Sequence, residues 1–179
     1  MGPKRLDLAR QLVPDATAIA MLINPRFPTA SAEAREVQGA ARLGININLL
    51  NASTESEIDA AFTITVEQRN GALIVGTDPF LLGRRDQLVQ LAARHMVPTI
   101  YFLREFVEAG GLMSYGPNIA NGYRQAGVYT GLILNGADPA ALPIVRPTQF
   151  LFYLNLKTAK TLGLQIPPLL LALADEVIE

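Results

Sequence analysis

The 179 residues suffice for one domain with a large core, and half of them are hydrophobic, giving a mean hydropathy of +0.24. A net charge of −1 and a pI of about 5.9 leave no basic footprint, so nucleic acid is not expected as a partner. With no cysteine there is no disulfide framework, thiol nucleophile or Cys-based metal site, and no apolar run reaches the roughly 18 residues of a membrane helix.

The opening MGPKRLDLARQLVP lacks the apolar core of a signal peptide, so the chain is expected to be cytoplasmic or cut from a longer precursor. Within it, Leu6, Ala9, Leu12 and Val13 mark one face of a helix that Pro14 ends. TAIAMLIN (17–24) reads as a central strand, apolar throughout because both its faces are covered. A helix follows the loop PRFPTAS, with Ala34, Val37 and Ala41 on its inner face and Gly44 as its stop. ININLL (45–50) alternates Ile45, Ile47 and Leu49 against two asparagines, the pattern of an edge strand. Thr54 and Glu57 form a capping box ahead of a helix whose stripe is Ile58, Ala61, Phe62, Thr65 and Val66.

The spacing then predicts a strand over 72–77, a helix near 84–95, the strand PTIYF (98–102), a helical turn near 104–109, and the strand LMSYG (112–116). A helix of about 118–135 closes the alternation. Its Gly122, Gly127 and Gly131, each unfavourable by up to ~1 kcal/mol against alanine, point to close packing on the sheet. The fold class is therefore α/β: a doubly wound, five-stranded parallel sheet in the order 2-1-3-4-5. The grammar changes after residue 136. A proline-bearing connector, an apolar sixth strand TQFLFYLN (148–155), a short helix and IPPLLLALADEVIE follow. The chain thus divides into a lobe over 1–136 and a connector with a C-terminal strand-helix arm over 137–179 that crosses to something else.

Chemical motifs are absent. There is no G-x-x-x-x-G-K-[ST], no G-x-G-x-x-G after a strand and no G-x-S-x-G. The single histidine, His95, sits near a helix C-terminus and cannot form a His-pair metal site. No cofactor, metal or catalytic group is expected, although Asp78 or Glu105 near Tyr115 leaves a general-base reading open. What remains is position, because open parallel sheets bind ligands beyond the carboxyl ends of their strands. Those ends carry Asn24, then Thr77, Asp78 and Phe80, then Phe102 and Arg104, then Ser114, Tyr115 and Gly116. Asp78 suits a ligand's ammonium, Arg104 or Ser114 its carboxylate, and Phe80, Phe102 and Tyr115 its apolar body. Equally, Asp78-Pro79 can cap the next helix, Phe80 can staple it, and Arg104-Glu105 can be a solvated pair.

The segments KRLDLARQLVP, AMLINP, GRRDQLVQLAARHMVPTIY, REFVEAGGLMSYGPN, YRQAGVYTGLILNGADPAALPIVRPTQF and NLKTAKTLGLQIPP with the terminal ADEVIE closely resemble one family. The chain is similar, over nearly all its length, to the carboxyl-terminal half of ABC-transporter solute-binding proteins of the group with tryptophan- and tyrosine-type importers. The resemblance implies a periplasmic-binding-protein type I lobe, in a periplasmic or extracytoplasmic protein with a cleft between two such lobes. It implies a small solute, an amino acid or a relative, delivered to the membrane permease of an ABC importer without catalysis. It also implies a missing N-terminal lobe, and hence a bare face that favours a homo-oligomer or an arm exchanged between copies. The alternative on the same architecture is a cytoplasmic ligand-sensing effector domain of a transcriptional regulator.

Overall fold

The computed structural model describes residues 1–41 and 44–179. The chain runs through α1 (Gly2–Leu12), β1 (Ala18–Ile23), α2 (Ala30–Ala40), β2 (Asn46–Asn51), α3 (Glu55–Glu67) and β3 (Leu73–Val75). It continues with α4 (Pro79–Gly83), α5 (Arg85–Arg94), β4 (Thr99–Tyr101), α6 (Arg104–Glu108), β5 (Met113–Pro117) and α7 (Ile119–Leu134). After a 3-10 turn at Pro139–Ala141 come β6 (Phe150–Asn155), α8 (Leu156–Thr161), α9 (Pro168–Leu173) and β7 (Glu176–Ile178).

The strands form one sheet in the order β2-β1-β3-β4-β5-β6-β7, with helices on both faces. Successive strand side chains point to opposite faces, and that period builds two cores from one sheet. Ile19, Met21 and Ile23 pack with Leu6, Ala9 and Leu12 of α1 and Val37 of α2 on the first face. Ala20 and Leu22, one residue out of step, pack with Ile58 and Phe62 of α3 and Leu88 of α5 on the second. This double cover is why β1, β3 and β4 are apolar almost throughout.

The sheet has seven strands, not five. The order 2-1-3-4-5 holds for the first five, all parallel, and the last two come from the segment expected to leave the lobe. β6 pairs antiparallel with β5 from Met113↔Leu154 to Pro117↔Phe150, because the chain leaves along β5 and returns beside it. β7 pairs parallel with β6 and, at three residues, is too short to display a period. Phe152, Leu154, Ala159 and Leu170 from this tail are buried in the first core.

Two apolar positions also differ from expectation. Val66 is 46% exposed: it follows Thr65, which turns inward to donate its hydroxyl to the Ala61 carbonyl, and adjacent helical residues do not share a face. In β2, confirmed as an edge strand, Leu49 is 37% exposed while Leu50 is buried in the second core. The capping box forms with one change. Thr54 Oγ1 accepts from the Glu57 amide at 3.3 Å, but Glu57 reaches back to the amide of Ser53 rather than Thr54, at 2.6 Å.

The glycine-bearing helix departs most from expectation. No residue of α7 is buried, and nothing lies within 4 Å of where a Cβ would stand on Gly122, Gly127 or Gly131, so it does not pack on the sheet. The reason lies at its base. Asn118 accepts from the Asn121 amide and is tied to Gln149 by a backbone and a side-chain hydrogen bond, both 3.1 Å, which clamp the outgoing and returning chain together. Residues 119–149 are thus an excursion beyond the sheet edge, with Tyr129 donating to the Pro143 carbonyl inside it at 2.7 Å. None of the described helices is long and apolar enough to cross a membrane.

Candidate functional site

The expected residues fall into two groups along the carboxyl edge of the parallel strands. At the ends of β1 and β3, Asp78 is only 3% exposed and both its oxygens are engaged. Oδ1 accepts from the Leu81 amide at 2.8 Å, capping α4, and Oδ2 accepts from Asn24 Nδ2 at 3.1 Å. Asn24 Oδ1 in turn accepts from the Arg26 amide, so the pair fixes the loops after both strands. The Thr77 amide and hydroxyl both donate to Glu33, and Phe80 packs half-buried against the second core with the Arg84 guanidinium 5.9 Å from its ring centre. Here the capping arrangement is the one formed. Replacing Asp78 with alanine is expected to lower stability by about 1–2 kcal/mol, the scale of a lost N-cap, in urea unfolding, whereas Asp78→Asn keeps an acceptor and most of the cap.

Behind this edge is a group the apolar pattern of α1 did not disclose. Arg5 is fully buried, donating to the Val75 carbonyl at 2.6 Å, to Thr77 Oγ1 at 2.9 Å and to Glu33. Burial pushes its guanidinium down from the ordinary value, and Glu33 opposes that shift. The cluster joins α1, α2 and the end of β3 at one point.

At the ends of β4 and β5, Phe102 is buried edge-on against Phe106, with centroids 5.2 Å apart. Ser114 is fully buried beside its register partner Tyr101, and neither hydroxyl has a partner among the described residues. Burial raises the Tyr101 phenol well above its usual range. Tyr115 stacks on Phe150 at 6.1 Å. Gly116 is where two backbones touch, for an added Cβ would lie 1.8 Å from the Phe102 carbonyl oxygen. Arg104 is exposed yet committed. Nε donates to Glu108 at 2.7 Å, the two terminal nitrogens donate to Glu176 at 2.8 and 2.9 Å, and the guanidinium lies over Tyr153 at 5.0 Å. The hydrogen bond it donates to Glu108, followed by Tyr153 and the charge of Glu176, holds it above the ordinary guanidinium value.

A cavity of about 480 Å³ opens at this second group, lined by 103–105 after β4, 116–118 at the end of β5, Ile119, Ala120 and Tyr123 of α7, and Leu151 and Tyr153 of β6. Of the nine expected residues, Arg104 and Gly116 line it. Asn24, Thr77, Asp78, Phe80, Phe102, Ser114 and Tyr115 do not. Asn118, Tyr123, Leu151 and Tyr153 were not foreseen, because α7 and β6 reach this edge only through the antiparallel return of the chain. The aromatic positions in FLFYLN were the available signal, but not their place. Among the described residues there is no cluster of three or more potential metal-ligating side chains.

A family model described as ABC transporter substrate binding protein matches residues 3–178. No curated protein matches. Among solved structures, an ABC domain in complex with L-Trp from Streptococcus pneumonia is similar with a TM-score of 0.86 and 22% identity, covering 99% of this chain and 62% of that one. A conserved domain protein from Vibrio cholerae gives 0.88 and 20%, covering 98% and 60%. The ligand-free, open structure of a substrate-binding protein with adhesive properties from Clostridium difficile gives 0.71 and 21%, covering 98% and 59%. At these identities the likeness is one of fold, and the chain spans about three fifths of the length of each.

Proposed function

Because this chain belongs to the ABC transporter substrate-binding protein family, we propose that its cavity is one wall of a cleft that holds a small solute for an ABC-type membrane permease. The observation that carries this reading is the place of the cavity. It lies where β5 leaves the sheet and β6 returns, at the root of the 119–149 excursion, so a body seated on the excursion would close over it. α7 presents Tyr123, Val128, Leu132 and Leu134 to solvent, and Ile144 of the connector is 97% exposed. Apolar side chains exposed on more than one side of the excursion are what a second α/β lobe seated on it would cover. The protein then acts outside the cytoplasm and needs shape and hydrogen bonds rather than a nucleophile.

The test is an amide-shift NMR titration of this chain with a panel of amino acids. With one wall of the cleft supplying the contacts, saturable binding on the order of 1 mM is expected. The shifts should be confined to 103–105, 116–123 and 151–153. Shifts confined instead to 24 and 77–80 would move the site to the β1–β3 edge, and no saturable response to any member would sink the reading.

A further inference from the structure

We infer that the solute presents a cationic nitrogen to this cavity, where Glu105 receives it; the inference rests on the solute-binding reading above. Two charged side chains line the cavity, Arg104 and Glu105. Arg104 is already paired, with three of its five N–H donors on two carboxylates. Its Nε is on Glu108, its terminal nitrogens grip Glu176 in a two-pronged pair, and its face lies on Tyr153. An anionic solute would find only the two remaining N–H donors of a guanidinium whose charge two carboxylates already offset in charge-assisted geometry. Glu105 is the opposite case. It is half-buried at the wall, and its carboxylate has no hydrogen-bond or ion-pair partner among the described residues.

The surroundings favour the same sign of charge. Glu108 and Glu176 both pair with Arg104, so the one cation of the wall is offset by two carboxylates before Glu105 is counted. The Asn118 side chain at the wall is engaged at both ends, donating to Gln149 and accepting from the Asn121 amide. An ammonium entering here gains the free carboxylate and disrupts no existing pair. A carboxylate entering here meets the unpaired Glu105 and, at the wall, no cation but the doubly paired Arg104. Leu103, Leu151 and the exposed ring of Tyr123 offer the adjoining apolar surface for the rest of the molecule. The role that the sequence assigns to Asp78 thus passes to Glu105, because the Asp78 oxygens are consumed by the α4 cap and Asn24.

The discriminating probes are phenethylamine and 3-phenylpropionate, which share an aromatic body and carry opposite charges, titrated into this chain by NMR. Phenethylamine is expected to give saturable shifts at 103–105 and 151–153 and to bind at least about tenfold more tightly, the factor that one hydrogen bond to a charged group supplies. Glu105→Gln should erase most of that preference while leaving the urea midpoint unchanged, since the carboxylate has no partner to lose. If the carboxylate probe binds as well as the amine, or if Glu105→Gln leaves the preference intact, the inference is overturned and the solute-binding reading stands. If neither probe nor any amino acid of the panel binds, both fall together.

Discussion

Arg5→Met is expected to destabilise the protein by about 3–5 kcal/mol, the usual consequence of removing one partner of a buried ion pair. The loss comes from what remains. Glu33 keeps a largely buried negative charge, now supported only by the Thr77 amide and hydroxyl, and the Val75 carbonyl loses its side-chain donor. Urea unfolding followed by circular dichroism measures this directly. The double variant Arg5→Met/Glu33→Gln should recover a substantial part of the loss, because the charge left uncompensated is then gone and a buried pair is often replaceable when both members change. A single-variant loss below about 1 kcal/mol would mean that Glu33 finds water or another cation when Arg5 is removed. Arg5→Lys should fall between, since one ammonium cannot serve three acceptors on α2 and β3 with the fork that the guanidinium provides.

Gly116→Ala should be the most damaging change at the cavity itself. The added methyl would stand 1.8 Å from the Phe102 carbonyl oxygen and 2.9 Å from its carbon. These are backbone atoms, so no rotamer change relieves the overlap and the turn between β4 and α6 must move off β5. Overpacking of this kind costs about 1–3 kcal/mol, and more where backbone must shift. Because that turn carries Leu103 and leads into Arg104 and Glu105 of α6, solute binding should fall along with stability, which separates this variant from Asp78→Ala at the β1–β3 end of the edge. Amide shifts at 102–105 report the displacement. A variant with wild-type stability and unmoved amides there would show that the close approach is not held in solution.

The family was legible through the resemblance of several segments, and the α/β class and the order of the first five strands through short-range signals. An uninterrupted apolar run marks a strand covered on both faces, the asparagines of 46–51 mark an edge, and Thr54 with Glu57 marks a helix start within four residues. The sequence singled out the carboxyl edge, and the cavity opens at its β4–β5 end. Which of its groups are free was not legible, because that depends on partners far along the chain. Asp78 is satisfied by Asn24, 54 residues earlier, and Arg104 by Glu176, 72 residues later. The sequence by itself determined where the helices and strands of the first five-stranded part begin and most of what they bury, since periodicity and caps act over one or two turns. Only the tertiary structure decided that the tail completes the sheet, that α7 stands clear of it, and that Glu105 rather than Asp78 keeps a free carboxylate. The first two follow from an antiparallel return across more than thirty residues, whose register no local pattern carries, and the third from the Asn24 bond and the α4 cap on Asp78.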